Sequence, residues 1–187
     1  MIRAQILQSG RLAGLVRRYH TFPMLTEQTI GEHCFQCLRI WYMIWGPPEP
    51  EITCYFLWHD SGELVTGDVP FPVKSNYDIV KRIFDTMEDS AVRGMGGKVP
   101  ELGKISRLRV KACDLIDMHE HGYIELMLGN KFAQPIVDDT FKALEKLQEQ
   151  LSMDDGNLIF RYLSKMWNLC KEVDNASDRN LKNPGSS

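Results

Sequence analysis

An imidazole and a carboxylate stand side by side at the end of an apolar run, and this pair most constrains how the chain can fold. The run is CYFLW, residues 54–58, and His59 and Asp60 follow it directly. The pattern predicts a buried backbone at this point, and buried polar side chains need partners. A divalent cation bound by His59 and Asp60 would provide one.

The next residues add groups that suit a reaction centre. Glu63 lies three residues after Asp60 and four after His59, so the three side chains share one side if the helix continues. A glycine and two prolines then predict a stiff turn. We expect that turn to hold Asp68 and Lys74 at the mouth of the same site.

Helical periodicity dominates the rest of the chain. Apolar residues recur at three- and four-residue spacing, which predicts helices over about 3–18, 30–45, 51–62, 76–89, 102–128, 132–152 and 156–172. Residues 29–32 (TIGE) match a capping box, and the helix they begin is apolar on nearly all sides, which predicts a central position. The predicted fold is an all-α, single-domain helical bundle over residues 1–173, with a flexible polar tail over 174–187.

Composition narrows the functional classes. The chain has 187 residues, of which 43% are hydrophobic, and a net charge of −3, so we expect no bulk nucleic acid as ligand. The five cysteines are odd in number and lie in apolar helical patterns, which indicates reduced thiols in the cytoplasm. No stretch has membrane-spanning length, and the N-terminus lacks the apolar core of a signal peptide. We therefore expect a cytoplasmic protein with no membrane partner.

Three segments offer metal ligands at positions predicted to be buried. They contain His33 near a helix start, the pair His59 and Asp60, and Asp114 within an apolar helix. A single histidine on an apolar face is usually a core residue, but a buried aspartate needs a cation or several donors. Two histidines and two aspartates leave positions open on a transition metal, as hydrolysis requires. Co, Mn or Zn suits such ligands better than Mg.

Other patterns leave alternatives open. Cys34 and Cys37 form a C-x-x-C pair that core packing explains better than zinc or redox chemistry. The run 119–121 (HEH) is typical of a solvent-facing helix end, with cation binding as the alternative. Asp117 could be a ligand of a second metal or a simple hydrogen-bond acceptor. Solvated or structural roles also remain open for Arg18, Glu63, Asp68 and Lys74.

The order Glu32-His33, His59-Asp60 and Asp114 resembles the H…HD…D signature of the HD-domain metal phosphohydrolases. Further segments resemble the branch that contains bacterial 5'-deoxynucleotidases and small phage dATP triphosphohydrolases; they are residues 18–20, 59–70, 72–74 and 111–114. The similarity covers about residues 10–125. The last third of the chain contributes only compatible helices.

The resemblance implies an HD-type helical bundle and a set of site residues. The implied metal ligands are His33, His59, Asp60 and Asp114, with Glu63 activating or orienting the attacking water. Arg18 and Lys74 would neutralise the phosphate, and Asp68 would hydrogen-bond the sugar at its 3'-hydroxyl. Tyr19 occupies a position where the deoxynucleotidases usually have Trp, and its ring could pack against the sugar.

The implied reaction is cleavage of the ester at the 5'-oxygen of a deoxynucleotide. The substrate is a dNMP, giving phosphate, or a dNTP such as dATP, giving triphosphate. Cations such as Arg17, Lys81 and Arg82 would favour a triphosphate. The resemblance also implies a homo-oligomer, a dimer or higher, for which the helix containing Tyr162 and Trp167 offers a surface.

The compact chain, its Trp and Met content and its polar tail would suit a phage gene, and then the location would be the host cytoplasm. The alternative function is a non-catalytic module that binds metal and nucleotide and regulates another process. Retention of Glu63, Asp68 and Lys74 together favours the enzyme.

Overall fold

The structure, a computed structural model, describes residues 2–19, 21–69 and 77–182. This part of the chain forms α-helices and two short 3-10 turns, Ser61–Leu64 and Lys131–Ala133, and it contains no β-strand. The predicted all-α class is therefore confirmed. The helices are α1 (Ile2–Ala13), α2 (Ile30–Trp45), α3 (Pro50–Trp58), α4 (Asp78–Gly94), α5 (Lys104–Met127), α6 (Gln134–Gln148) and α7 (Met153–Lys182).

Helix α2 begins at the predicted capping box. The Thr29 hydroxyl accepts a hydrogen bond from the Glu32 amide at 3.2 Å, and the Glu32 carboxylate accepts one from the Thr29 amide at 2.9 Å. These bonds satisfy amides that a helix start leaves without partners. The cap therefore fixes His33 in the first turn, where its amide donates to the Thr29 carbonyl.

The core lies between α2 and α5, against which α3, α6 and α7 pack. Its most buried members are Cys37, Ile40, Phe56, Ala112, Cys113, Ile116 and Leu144. Helix α2 is less enclosed than its composition predicts, because Phe35, Tyr42 and Met43 are 52–65% exposed. It has one buried face, directed at α5, and one face that no described element covers.

The predicted helix over 3–18 is shorter in the structure, because residues after Ala13 pair with the start of α2 instead. The Ile30 amide donates to the Val16 carbonyl at 2.8 Å, and the Arg18 amide donates to the Gln28 carbonyl at 2.8 Å. Residues 14 and 31 are both glycines, and a Cβ at position 31 would lie 2.9 Å from the carbonyl oxygen of residue 14. This close approach holds Arg18 beside the first turn of α2.

Helix α3 ends at Trp58, not near residue 62 as predicted. His59 caps it, and a tighter 3-10 turn, Ser61–Leu64, follows Asp60. The Ser61 hydroxyl donates to the Leu57 carbonyl at 2.8 Å, which gives one of the last helical carbonyls a partner. The change of helix type also brings Gly62 against the backbone of α4.

The C-terminal helix α7 is longer than predicted and continues to Lys182. It therefore runs through residues 174–182, which the sequence assigns to a flexible tail, whereas residues 183–187 lie outside the described part of the chain. The domain boundary at 173 stays a prediction. Tyr162 on this helix is 7% exposed and donates to Glu120, so it offers no surface to a partner, whereas Trp167 is 45% exposed.

Within the described ranges, no helix is both long and apolar enough to span a bilayer.

We expect Gly62→Ala to lower the free energy of unfolding by about 1–3 kcal/mol, the usual cost of overpacking. A Cβ at this position would lie 2.5 Å from the Glu88 carbonyl oxygen, and backbone in a helix cannot easily move. Urea denaturation measures the change. Gly94→Ala is the control, because a Cβ there meets no described atom within 4 Å. Equal stability of the two variants would contradict the prediction.

Candidate metal centre

Three elements bring two imidazoles and two carboxylates to one point. The first turn of α2 contributes His33, the end of α3 contributes His59 and Asp60, and the middle of α5 contributes Asp114. Both imidazole side chains are buried, at 1% and 7% exposure, whereas the carboxylates are 23% and 20% exposed. The structure thus brings together all four residues that the sequence suggests as ligands.

The ring atom Nε2 of each histidine faces the same space. His33 Nε2 lies 3.3 Å from Asp60 Oδ2 and 3.7 Å from Asp114 Oδ1. His59 Nε2 has the same two separations, and the two Nε2 atoms are 3.4 Å apart. The ligand atoms of His33, His59 and Asp60 therefore face a common space, and Asp114 Oδ1 lies beside both imidazoles at its edge.

These separations suit a single cation. Nitrogen and oxygen ligands lie about 2.0–2.2 Å from Zn²⁺, which places them about 3.0–3.5 Å apart in octahedral or tetrahedral geometry. The ligand atoms of His33, His59 and Asp60 all lie within 4.8 Å of one another. Imidazole and carboxylate together favour Zn, Co or Mn over a cation that prefers oxygen alone. The donor set and its spacing could therefore hold a divalent transition metal.

The electrostatics of the site favour positive charge. Burial lowers the pKa of His33, but hydrogen bonds to Asp117 and Asp60 outweigh burial and raise it to about 9. Burial also lowers the pKa of His59, and the charge of Asp60 raises it to about 9. For Asp60 itself, burial raises the pKa, while the two imidazoles hold it well below its usual range. The same field that attracts protons to the rings would stabilise a metal cation.

Asp117 lies one turn after Asp114 on α5 and faces the other nitrogen of His33. Its Oδ2 is 2.7 Å from His33 Nδ1 and 3.3 Å from an Arg18 nitrogen. The Gln28 amide donates to both carboxylate oxygens, at 3.1 and 3.0 Å. Since Asp117 is 2% exposed and already accepts from three side chains, its geometry is that of a hydrogen-bond acceptor.

The C-x-x-C pair divides between the core and the site. Cys37 is fully buried, as core packing predicts, and burial raises the pKa of its thiol. Its sulfur also lies 3.6 Å from both His33 Nδ1 and Asp114 Oδ1. Cys34 is half-buried, and its side chain helps to raise the pKa of His59.

Glu63 lies in the 3-10 turn and is 7% exposed. Its amide donates to the Asp60 carbonyl at 3.0 Å, so the turn places it directly beyond the candidate ligand. A cavity of about 190 Å³ lies beside His59, between Tyr55 and the acidic face of α4.

Arg18, Tyr19 and Asp68 form a connected group near this centre. The Tyr19 amide donates to Asp68 Oδ2 at 3.0 Å, and the Arg18 guanidinium lies 5.2 Å from the centre of the Tyr19 ring. Tyr19 has a φ of 57°, a left-handed conformation that is uncommon for a bulky residue. Burial raises the pKa of its hydroxyl above the usual range. Lys74, expected at the same mouth, lies outside the described residues.

The run 119–121 is not a solvent-facing helix end, which corrects the favoured interpretation. His121 is 9% exposed and stacks on Tyr19, with ring centres 5.0 Å apart and planes 7° apart. His119 instead bonds the Thr140 hydroxyl at 3.0 Å, and Glu120 bonds Tyr162. Because their partners lie on different faces of α5, the three side chains do not form one cation site.

The cations suggested for a longer phosphate tail lie at the surface. Arg17 forms an exposed ion pair with Glu27 at 2.7 Å, and Lys81 pairs with Asp85 one turn along α4. Arg82 is exposed on the same helix.

Two buried polar residues, one at the site and one farther along α5, carry no recognisable sequence pattern. Gln28 bridges Arg18 and Asp117. Glu125 is fully buried and accepts hydrogen bonds from the Leu25 amide at 2.7 Å, the Thr26 amide at 2.7 Å and Asn130 at 2.6 Å. Burial raises the pKa of Glu125, but these donors outweigh it and hold the pKa at about 2.

The helical bundle that brings these imidazoles and carboxylates together has the fold of the HD-domain phosphohydrolases. No protein-family model matches the chain, and no curated protein matches it. Among solved structures, an HD-domain phosphohydrolase from Listeria innocua superposes with a TM-score of 0.66 at 17% identity, covering 84% of this chain and 85% of that one. The predicted HD-type bundle is confirmed.

A second structure with this fold is the HD phosphohydrolase DatZ of cyanophage S-2L, bound to dA and one catalytic Zn²⁺ ion. Its TM-score is 0.63 at 18% identity, and the match covers 85% of this chain and 94% of DatZ.

We expect Glu125→Gln to lower the free energy of unfolding at pH 7 by about 1–3 kcal/mol, because the amide cannot accept from all the donors that the carboxylate satisfies. The folded-state pKa of Glu125, about 2, lies below its ordinary value of 4.5. The ionised Glu125 carboxylate therefore makes its full contribution to the free energy of unfolding above about pH 4.5. That contribution declines as the pH falls toward 2. The difference between wild type and variant should shrink over that range in urea unfolding.

Glu145→Gln, an exposed change on α6, serves as the control for that series. A stability difference between wild type and Glu125→Gln that is constant from pH 7 to pH 3 would contradict the prediction.

Proposed function

We propose that the chain is a divalent-metal-dependent phosphohydrolase whose cation is held by His33, His59, Asp60 and Asp114. The observation that carries this proposal is the convergence of their ligand atoms, 3.3–3.7 Å from atom to atom across each imidazole–carboxylate pair. The fold shared with HD-domain phosphohydrolases supports it. Zn is the first candidate, with Co and Mn as alternatives and Mg possible at a second site.

A cation in this position supplies Lewis acidity that activates water and draws charge from a phosphoryl oxygen. Glu63 then orients the attacking water and accepts its proton. Its burial in the turn that directly follows Asp60 supports this role, since a general base must be held within reach of the proton that it accepts. The tight turn Ser61–Leu64 fixes the backbone of Glu63 through the bond from its amide to the Asp60 carbonyl.

The proposed substrate is a small-molecule deoxynucleotide, cleaved at the 5'-phosphate ester. Arg18 contacts the phosphate through charge-assisted hydrogen bonds, together with Lys74. Asp68 bonds the sugar and Tyr19 packs against it, and the bond between the Tyr19 amide and Asp68 supports their action as one subsite. The presence of dA and Zn²⁺ in DatZ also supports a deoxynucleotide.

The length of the phosphate chain separates two reactions at the same bond. A dNMP would give deoxynucleoside and phosphate, whereas a dNTP, with dATP as the first candidate, would give deoxynucleoside and triphosphate. The exposed pairs of Arg17 and Lys81 would need to rearrange before they could bind a triphosphate tail. We further propose a cytoplasmic enzyme, in the host cytoplasm if phage-encoded, that forms a homo-oligomer.

A non-catalytic module that binds metal and nucleotide is the alternative. It shares the metal site and would bind a deoxynucleotide without releasing product. The presence of Glu63, Asp68 and Lys74 together favours the enzyme, because a module without chemistry has no need of a candidate base beside its sugar- and phosphate-binding groups.

We expect the Zn-, Co- or Mn-loaded protein to release phosphate from dNMPs or triphosphate from a dNTP, as measured by chromatography with all four bases. Glu63→Gln should lower kcat by about 10²–10⁴-fold while metal content by mass spectrometry stays unchanged. Asp60→Asn should lose both metal and activity.

Asp139→Asn is the matched control, since this aspartate is exposed on α6 and its side chain is 78% accessible. Metal and deoxynucleotide binding with no product would assign the protein to the non-catalytic alternative. Wild-type turnover in Glu63→Gln would remove that residue from the mechanism.

A further inference from the structure

We propose that Asp117 is a positioning residue that orients both His33 toward the metal and Arg18 toward the phosphate. This inference rests on the proposed function and adds a role that lies outside the four proposed ligands. The buried carboxylate of Asp117 contacts both the imidazole of a proposed ligand and the guanidinium proposed to bind phosphate.

The contact with His33 determines which ring nitrogen can face a cation. An ionised carboxylate only accepts hydrogen bonds, so the 2.7 Å separation from Asp117 requires a hydrogen on His33 Nδ1. In the neutral ring the lone pair then resides on Nε2, which faces Asp60 and His59. A carboxylate behind a histidine in this way fixes the tautomer and makes the ring a better ligand. His33 is 1% exposed, so water does not compete for Nδ1.

Arg18 contacts the same carboxylate oxygen of Asp117 as His33 does, Oδ2. Arg18 Nη1 lies 3.3 Å from Asp117 Oδ2 and 3.1 Å from Gln28 Oε1. Both contacts involve Nη1, and a guanidinium has further donors on Nε and Nη2. Asp117 can therefore anchor the arginine by one nitrogen while the others bind a phosphate in the bidentate manner that arginine favours.

Gln28 immobilises the carboxylate between these partners. Its amide nitrogen donates to both oxygens of Asp117, at 3.1 and 3.0 Å, and its amide oxygen accepts from Arg18. Asp114 lies one turn earlier on α5, so a single rigid helix carries a proposed ligand and the residue that orients another. A displacement of Asp117 would disturb the metal site and the phosphate site together.

The test compares metal-free wild type with Asp117→Asn, which keeps the shape of the side chain and removes its charge. Zn²⁺ affinity is measured by competition with a chromophoric chelator, and the visible spectrum of bound Co²⁺ reports the ligand geometry. We expect affinity to fall about 10–100-fold, the usual effect of removing such a partner, with a shifted Co²⁺ spectrum. With the deoxynucleotide that the wild type hydrolyses, KM should rise as Arg18 loses its anchor.

Asp155→Asn is the matched control, because it neutralises another buried carboxylate, whose partners Arg109 and Trp45 are not residues of the site. It should lose stability but keep wild-type Zn²⁺ affinity and the wild-type Co²⁺ spectrum. Gln28→Met is a second variant, which frees Asp117 without removing its charge; it should weaken Zn²⁺ binding in the same direction by a smaller factor.

If Asp117→Asn and Gln28→Met bind Zn²⁺ as tightly as Asp155→Asn does, this inference is overturned and the proposed function stays intact. A wild type that binds neither Zn²⁺ nor Co²⁺ would overturn both.

Discussion

The contact between His33 and Asp117 is the interaction on which the site depends, because it joins α2 to α5 inside the protein. Burying an ionised carboxylate beside an imidazole costs free energy unless further donors compensate. Arg18 and Gln28 provide them. The surrounding apolar packing of α2 and α5 keeps the four groups in register, so core and site stabilise each other.

This network explains the irregular path between α1 and α2. The chain pairs residues 16–18 with 28–30, which brings Arg18 and Gln28 to the same carboxylate. Glu125, farther along α5, binds the intervening loop through the amides of Leu25 and Thr26. One helix therefore anchors the whole connection at two buried carboxylates, and a segment without regular structure gains a defined position.

Local pattern was sufficient for some features of the molecule and insufficient for others. Helical periodicity and the capping box predicted α2 with its bounds. Three separate segments offered buried ligand types, and the resemblance to the HD-domain phosphohydrolases joined His33, His59, Asp60 and Asp114 into one set. The predicted end of α3 was wrong, since the true end depends on packing between Gly62 and α4. The burial of His121 and the hydrogen bonds of Asp117 depend on partners far away in the sequence. The spacing of residues within one segment cannot predict such contacts.

The burial of the four proposed ligands differs in a way that bears on substrate approach. The imidazole side chains are 1% and 7% exposed, whereas Asp60 and Asp114 are 23% and 20% exposed. A cation among them would therefore have its histidines toward the core and its open positions on the carboxylate side. Catalysis at a metal requires such open positions, unlike a closed structural site. The buried side of the site thus holds His33 and His59, and a substrate would approach from the side of Asp60 and Asp114.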